Sequence, residues 1–410
     1  MDMRKRVLAI VQLGSYRAFP LGGISTFVES ITPHLSEAFE LKLIGMSMGE
    51  PIGRWTTIDV AGRTYDFLPM VNAQQSKLVP DRLRLAYAMT KYRDAVFASG
   101  AEAYYVHMTE AALPLLAWSK SPVIVHVHGL YNLFRFSRHW LGAPFAPVYD
   151  MFYPRLFSSC AKVIGAGTPA EFDQFCRTMR VKSGAVVPTC VRESIFYPRD
   201  RAAVRRELGI RSDERVLLYV GRMTETKNPL LLLEVGRLLQ PEIPHLKLVF
   251  AGDGPLRSRL QQEAEKSRGK VIVTGMLSSS ETASWMNAAD ALTVVSKAEA
   301  FTSIVALEAL SCGLPVVATP VSALPEMIRF GINGALANSF APEDYAQAVR
   351  SVLRARPSAE ACRYSVKDYS SAAISARVAS EINQVLAGEA AIGVAVCEHT
   401  AAAESAGAHF

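Results

Sequence analysis

Two series of short, near-continuous apolar runs, alternating with helical stretches, constrain this chain more than any other feature. The first series is Val7–Val11, Leu41–Ile44, Tyr104–His107, Val123–His128, Lys162–Ile164 and Ala185–Val187. The second is Val216–Val220, Lys247–Phe250, Lys270–Thr274, Ala291–Val295 and Pro315–Ala318. Runs of this kind suit strands that are buried on both faces, and such strands belong in parallel sheets covered by helices. The strand–helix alternation therefore predicts a doubly wound α/β architecture. Between the series lies Pro188–Asp200, which carries Pro188, Pro198 and polar residues and reads as a linker. At 410 residues the chain exceeds one ordinary core, in keeping with two domains. The expected divisions are an N-terminal domain over 1–190 and a C-terminal domain over 191–363. C-terminal helices over 364–386 are expected to pack back toward the first domain. Within them, Ile374–Leu386 has the clearest helical spacing of apolar residues. The remainder, 387–410, is rich in Ala, Gly and Ser and is expected to be disordered.

Composition narrows the function classes. Hydrophobic residues at 50% and charged residues at 20% are ordinary for a soluble globular chain. No window holds the ~18 consecutive apolar residues that a membrane span needs. The apolar run after Arg6 is too short for a signal-peptide core and reads as a first buried strand, so a cytoplasmic location is expected. The six cysteines stand at 160, 176, 190, 312, 362 and 397, with no C-x-x-C pair and no His cluster at metal-ligand spacing. That pattern argues against a disulfide framework and against structural zinc. The net charge of +6 is a mild excess that permits anionic ligands or a membrane surface. Neither a recognition motif nor a dense Lys/Arg block points to nucleic acid, and no nucleic-acid partner is expected.

The chemistry-bearing motifs concentrate in the second half. Val216–Val220 ends at Gly221-Arg222, and Lys227-Asn228-Pro229 follows. Asn228 suits a helix N-cap and Pro229 the first helical position, so a helix is predicted to start there. The loop 221–227 then lies at the carboxyl end of a strand, where open α/β sheets bind ligands. Arg222 and Lys227 place two cations beside a helix N-terminus, which suits a diphosphate. A βα loop with solvated cations is the plainer alternative. Ala251-Gly252-Asp253-Gly254-Pro255 also follows a strand, and its glycines suit either a structural turn or close approach of a ligand. In the stretch 296–315 a short helix is predicted from about Ser303 to Ser311, stopped by Gly313. Amides at its start can hold phosphate oxygens, and Glu308 within it can accept two hydrogen bonds from a vicinal diol such as ribose offers. The plainer reading of Glu308 is a partly buried carboxylate paired with Arg or Lys, because an unpaired one is costly.

In the first half, Pro20-Leu21-Gly22-Gly23-Ile24-Ser25-Thr26 follows the first strand and precedes a helical stretch, Phe27–Ala38. Gly22 and Gly23 suit a loop that approaches a ligand. His126 and His128 close an apolar strand and share one face, because strand side chains alternate. His126 reads as a hydrogen-bonded core histidine, while His128, followed by Gly129, is expected to project from the strand end. His107 ends another strand. Lys77–Arg93 and Tyr131–Phe157 mix basic and apolar residues, and each suits either an outer helix face or contact with an anionic lipid surface.

Taken together, these pieces resemble the retaining glycosyltransferases of family 4 (glycosyl transferases group 1), which have the GT-B fold. The matching text is G-R-M-T-E-T-K-N (221–228), A-G-D-G-P (251–255), E-A-F-T-S-I-V-A-L-E-A-L-S-C-G-L-P-V-V-A-T (299–319) and P-E-M-I-R-F-G-I-N-G (325–334), with V-P-T-C-V (187–191) at the usual position of a linker strand. The resemblance implies an α/β GT-B fold of two Rossmann-like doubly wound parallel-sheet domains facing an interdomain cleft. It implies a hexosyltransferase that moves sugar from a nucleotide-diphosphate sugar to a glycan or lipid-linked acceptor with retention, in polysaccharide or glycolipid biosynthesis. Arg222 and Lys227 would bind the diphosphate and Glu308 the ribose. Glu299 and His128 would lie near the transferred sugar. Phe301, Thr302, Ser303 and Ile304 would line phosphate and sugar, joined by Gly22, Gly23, Gly221, Gly252 and Gly254. No cofactor and no metal are expected, and the location would be cytoplasmic or peripheral at the inner face of a membrane. The family has seven residues between its two glutamates, whereas eight separate Glu299 from Glu308. One extra helical residue turns a side chain by about 100°, so the insertion fits best in the loop at Thr302 or Ser303. A GT-B epimerase and a catalytically inactive binding member are the alternatives. A dinucleotide oxidoreductase lacks the G-x-G-x-x-G it would need after the first strand.

Overall fold

The structure, a computed structural model, describes residues 4–14, 16, 23–72, 79–129, 142–299, 302–389 and 393–395. The chain divides into two compact units. One comprises Met1–Pro188 with Ile374–Phe410, the other Thr189–Ala373.

The first unit is built on β1 (Arg6–Val11), β2 (Phe39–Ser47), β3 (Thr56–Val60), β4 (Arg63–Asn72), β5 (Ala103–Val106), β6 (Val123–Val127), β7 (Lys162–Gly165) and β8 (Ser183–Val186). The second carries β9 (Arg215–Val220), β10 (Leu246–Ala251), β11 (Val271–Gly275), β12 (Ala291–Val294), β13 (Val316–Ala318) and β14 (Gly334–Leu336), and β15 (Gly393–Ala395) returns to the first. Among the described residues the first sheet runs β15-β8-β7-β6-β5-β1-β2-β4-β3 and the second β11-β10-β9-β12-β13-β14. All pairings are parallel except the β3–β4 hairpin. The architecture is thus α/β with two Rossmann-like parallel sheets.

Double-sided burial is visible along β9. Val216 and Leu218 enter one apolar cluster, with Leu292, Leu307 and Val316, while Leu217 and Tyr219 enter another, with Leu232, Phe250 and Val349. Alternate residues of one strand thus feed the cores on both faces of the sheet, which is why the sequence run shows no polar alternation.

In each sheet the strand order reverses beside the first strand of the unit. From β1 the chain proceeds outward to β2 and β4, then returns to β5 on the other side; from β9 it proceeds to β10 and β11, then returns to β12. Loops leaving the carboxyl ends of strands on either side of such a reversal diverge and leave a crevice, the usual ligand position in open α/β sheets.

Several expectations need correction. β3, β4 and β14 had no counterpart among the expected strands. The stretch 188–200 is more than a polar linker, because Val191 and Phe196 are buried in the second core and Val191 bridges to Ser370. The tail expected to be disordered supplies Gly393–Ala395, which pair with Ser183–Ala185 of β8. Helix Ser371–Leu386 carries Glu381 and Gln384, which both accept hydrogen bonds from the buried Lys162 ammonium of the first unit.

Candidate functional site

The second unit gathers three loops at the carboxyl ends of the adjacent strands β10, β9 and β12. The loop after β9 and the loop after β10 are stitched backbone to backbone. Gly221 N–H donates to Ala251 O (3.0 Å), Met223 N–H to Asp253 O (2.8 Å) and Leu256 N–H to Met223 O (3.0 Å). The close approach explains the glycines. A Cβ on Gly252 would stand 2.0 Å from Gly221 O, and one on Gly254 would stand 2.6 Å from Met223 O. Both residues also hold positive φ, +136° and +152°, which side chains disfavour. Of the two readings the sequence left open for 251–255, the structural turn is the one this geometry accounts for.

The loop after β12 joins the first loop through Lys297 N–H, which donates to Thr226 O at 2.8 Å. This brings Lys227 Nζ to 2.6 Å from Glu299 Oε1, an ion pair whose acid side chain is 8% exposed and whose lysine side chain is 24% exposed. Ser296 Oγ donates to the same carboxylate oxygen, and Ser322 Oγ donates to Glu299 O at 2.7 Å. Despite the extra residue, the Glu299 side chain therefore lies beside Lys227. The Tyr219 hydroxyl donates to Arg222 O at 2.8 Å. Burial and then the Glu299 charge push its pKa up, with Arg222 opposing. The Arg222 side chain is exposed and forms no hydrogen bond or ion pair with another described residue. Ser296, Ser322 and Tyr219 were not among the expected site residues. Tyr219 occupies an ordinary strand position, and neither serine belongs to a motif.

Asn228 precedes helix Pro229–Leu239 as expected, but in the left-handed conformation (φ 51°, ψ 42°) and without a side-chain capping bond. The N-cap role inferred for its amide is therefore not taken up. The helix start stays unsealed by a side chain beside Lys227.

Helix Ile304–Ser311 starts at Ser303, whose side chain forms no capping bond. Ser303 is 2% exposed, and its buried hydroxyl has no hydrogen-bond partner among the described residues. Thr302 is likewise buried and Ile304 half-buried. The first amides of a helix lack intrahelical acceptors, and here Ala306 N–H and Leu307 N–H turn back to Ser303 O, so the Ser303 hydroxyl meets the Ile304 and Val305 amides, none with a partner among the described residues. Phe301, expected in this site, lies outside the described residues, as does Gly22. Gly23 is the exposed first residue of helix Gly23–Ala38.

Glu308 lies midway along the same helix. Its half-buried carboxylate forms no hydrogen bond or ion pair with another described residue, contrary to the paired carboxylate of the plainer reading. Burial pushes its pKa up to about 8, with the Arg192 charge pulling the other way. Its ordinary value is near 4.5, so between pH 4.5 and 8 the folded protein holds a proton that the unfolded chain releases. Stability accordingly falls as pH rises through that window. Glu308→Gln is expected to abolish this slope and to raise stability at pH 9 by about 2 kcal/mol, read by urea unfolding at pH 5 and pH 9. An unchanged slope would show that the carboxyl titrates normally.

In the first unit, His107 follows β5 and His126 and His128 close β6. His107 Nδ1 and His128 Nε2 lie 2.8 Å apart, and Tyr105 Oη and His126 Nδ1 lie 2.5 Å apart. The His126 and His128 rings stack at 4.3 Å and 2°, as two residues on one strand face should, and the edge of Phe27 packs against both. His126 is the hydrogen-bonded core histidine expected. His107, 3% exposed, is also part of the core. Burial lowers the pKa of all three, that of His128 to about 3, so the rings are neutral at physiological pH.

Solved structures resemble this chain over nearly its whole length. Sucrose-phosphate synthase from Thermosynechococcus elongatus superimposes with a TM-score of 0.73 at 20% identity, covering 94% of this chain and 100% of that one. Anabaena HepE, solved in complex with UDP and glucose, gives a TM-score of 0.65 at 15% identity, covering 92% and 99%. The fold is GT-B. Residues 200–369 match the family model of glycosyl transferases group 1. A D-inositol 3-phosphate glycosyltransferase of Thermobispora bispora is 35% identical over 179 residues, which are 41% of this chain and 42% of the relative. The chain thus spans less than half the length of this curated relative. No helix among the described residues is long and apolar enough to cross a membrane.

Proposed function

We propose that the protein is a nucleotide-sugar-dependent glycosyltransferase whose donor site lies at the carboxyl ends of β9 and β12. The observation that carries this reading is the meeting of Lys227 with Glu299 at the strand-order reversal, beside a helix start whose buried Ser303 hydroxyl has no partner among the described residues. Resident ions would leave a binding crevice saturated. Here Arg222, the Ser303 hydroxyl and the Glu308 carboxylate have no hydrogen-bond or ion partner among the described residues, and they are of the types that a nucleoside diphosphate requires.

In this reading Arg222 and Lys227 hold the donor diphosphate without a metal, with the Ser303 hydroxyl and the first amides of its helix adding neutral donors. Glu308 accepts from the ribose hydroxyls. Glu299 orients Lys227 and meets the transferred hexosyl group. In the transfer step the anomeric C–O bond to the diphosphate breaks and a bond to an acceptor hydroxyl forms on the same face. The acceptor proton passes to the leaving phosphate. Arg222 and Lys227 stabilise the charge that develops there. The acceptor is a glycan or a lipid-linked sugar in polysaccharide or glycolipid assembly. Peripheral contact with a membrane is supported by exposed Leu83 and Tyr87 among the arginines of helix Asp81–Lys91. The reading as an inactive member rested on the Glu299 spacing, and it loses that support now that Glu299 pairs with Lys227.

The test is a screen of nucleoside diphosphates and their sugars for thermal stabilisation, because a ligand stabilises the state it binds. Assays of the stabilising donor for hydrolysis, transfer and epimerisation should follow. Stabilisation by none of them would overturn the donor site, and an epimerised donor without transfer would favour the epimerase. Ser303→Ala is expected to weaken binding of the stabilising diphosphate by about tenfold, the value of one hydrogen bond to a charged group, without lowering stability. Titration calorimetry in buffers of different ionisation enthalpy should detect proton release near pH 7 as ribose hydroxyls bond to Glu308. A proton balance of zero would argue against that contact.

A further inference from the structure

The histidine cluster of the first unit has a property that its place in the core does not explain. A buried polar atom is normally satisfied, yet His107 Nε2 and His126 Nε2 are both buried with no hydrogen-bond partner among the described residues. These rings are 3% and 1% exposed. One nitrogen from each of His107, His126 and His128 lies within 4.8 Å of the other two. The convergence follows from the backbone. Val106 of β5 is in register with Val125 of β6, which places His107 opposite His126, and the two-residue strand period puts His128 above His126 on the same face. The Tyr105 hydroxyl lies at hydrogen-bond distance from His126 Nδ1 and fixes that ring. Metal-binding imidazoles are commonly held in this way through their second nitrogen. Phe27 walls one side. His128 alone of the three is only half-buried, and it offers the way in.

We propose that His107, His126 and His128 form a binding site for a divalent transition metal of the zinc type, with one coordination position left open. Three neutral imidazoles suit zinc, copper, nickel and cobalt rather than magnesium or calcium, which take oxygen ligands. Three protein ligands and an open fourth position are the arrangement of reactive rather than purely structural zinc. Bonds of about 2.0–2.1 Å set tetrahedral ligand atoms about 3.4 Å apart, a separation that side-chain rotation reaches from nitrogens that already lie within 4.8 Å of one another. The site is separate from the proposed diphosphate grip, and its test does not depend on the donor assignment.

The experiment uses the full chain freed of metal and titrated with Zn2+ in competition with a chromophoric chelator, and with Co2+ for X-ray absorption. The expected result is one tight metal per chain, a first shell of nitrogen and oxygen with imidazole scattering, and a Tm that rises with Zn2+. His107→Phe and His126→Phe should each weaken Zn2+ binding by at least ~100-fold, since each removes a ligand, while His34→Gln, outside the cluster, changes nothing. Circular dichroism checks that each variant folds. If the phenylalanine variants fail to fold, the wild-type Co2+ shell still decides the question. Failure of the wild type to bind one equivalent, or a shell containing cysteine sulfur, would overturn the proposal. So would binding that survives removal of a histidine in a folded variant.

Discussion

Replacing Lys227 with alanine is expected to lower kcat/KM for sugar transfer by about 10²–10³-fold, the usual effect of deleting one preorganised group that faces developing charge. The loss should fall mainly on kcat, because the ammonium gains most when the diphosphate departs. The same variant has a structural effect that a merely solvated lysine would lack. Glu299, 8% exposed, loses its ion partner and keeps, among the described residues, the Ser296 hydroxyl. An orphaned buried charge typically costs about 3–5 kcal/mol, and the half-exposed surroundings of Lys227 place this case toward the lower end. Lys227→Ala with Glu299→Gln should therefore recover most of the lost stability and none of the lost turnover. Steady-state kinetics on the donor found by the screen, paired with urea unfolding of the single and double variants, measures both. Turnover of Lys227→Ala within about threefold of wild type would sink the diphosphate assignment.

Gly252→Ala should be the most damaging single-atom change near the site. The added Cβ would stand 2.0 Å from Gly221 O and 2.9 Å from Gly221 C, and φ is +136°. Both obstacles are backbone, so neither can rotate away. The loops after β9 and β10 must separate, breaking the Gly221 N–H···Ala251 O and Met223 N–H···Asp253 O bonds. Together the steric and conformational terms amount to about 3 kcal/mol or more, a fall in Tm of roughly 6–12 °C for a unit of this size. Gly209→Ala isolates the conformational part, because its φ is +66° and open space surrounds its Cβ position. It should cost only about 1 kcal/mol. Equal losses in the two variants would mean that the loops are not locked together. Nucleotide affinity should fall in Gly252→Ala alone, since the displaced loop carries Arg222.

The strands that were legible in the sequence are those buried on both faces. β1, β6 and β9 advertise themselves as near-continuous apolar runs, because neither face meets water. The hairpin β3–β4 escaped notice. β3 alternates exposed and buried residues over only five positions, and Pro69 lies inside β4. β14 is three residues long and depends on β13 for its partner, so no local pattern marks it. Helix boundaries within the motifs were read closely, Ser303 and Gly313 flanking Ile304–Ser311 as expected. The cap at Asn228 was misjudged, because its left-handed backbone is imposed by the loop that positions Lys227.

By itself, the sequence determined the α/β class, the two series of strands, and the loops in which the cations and carboxylates of the candidate site reside. These are matters of local periodicity and of which residue follows a strand, and both are encoded over a few neighbouring positions. Only the tertiary structure decided that Glu299 pairs with Lys227 across 72 residues, that Glu308 remains without an ion partner among the described residues, and that three histidines from two strands stack into one cluster. Those facts depend on strand order and register, which arise from burial summed over whole sheets. A pairing of side chains on separate strands leaves no trace in the spacing of either strand.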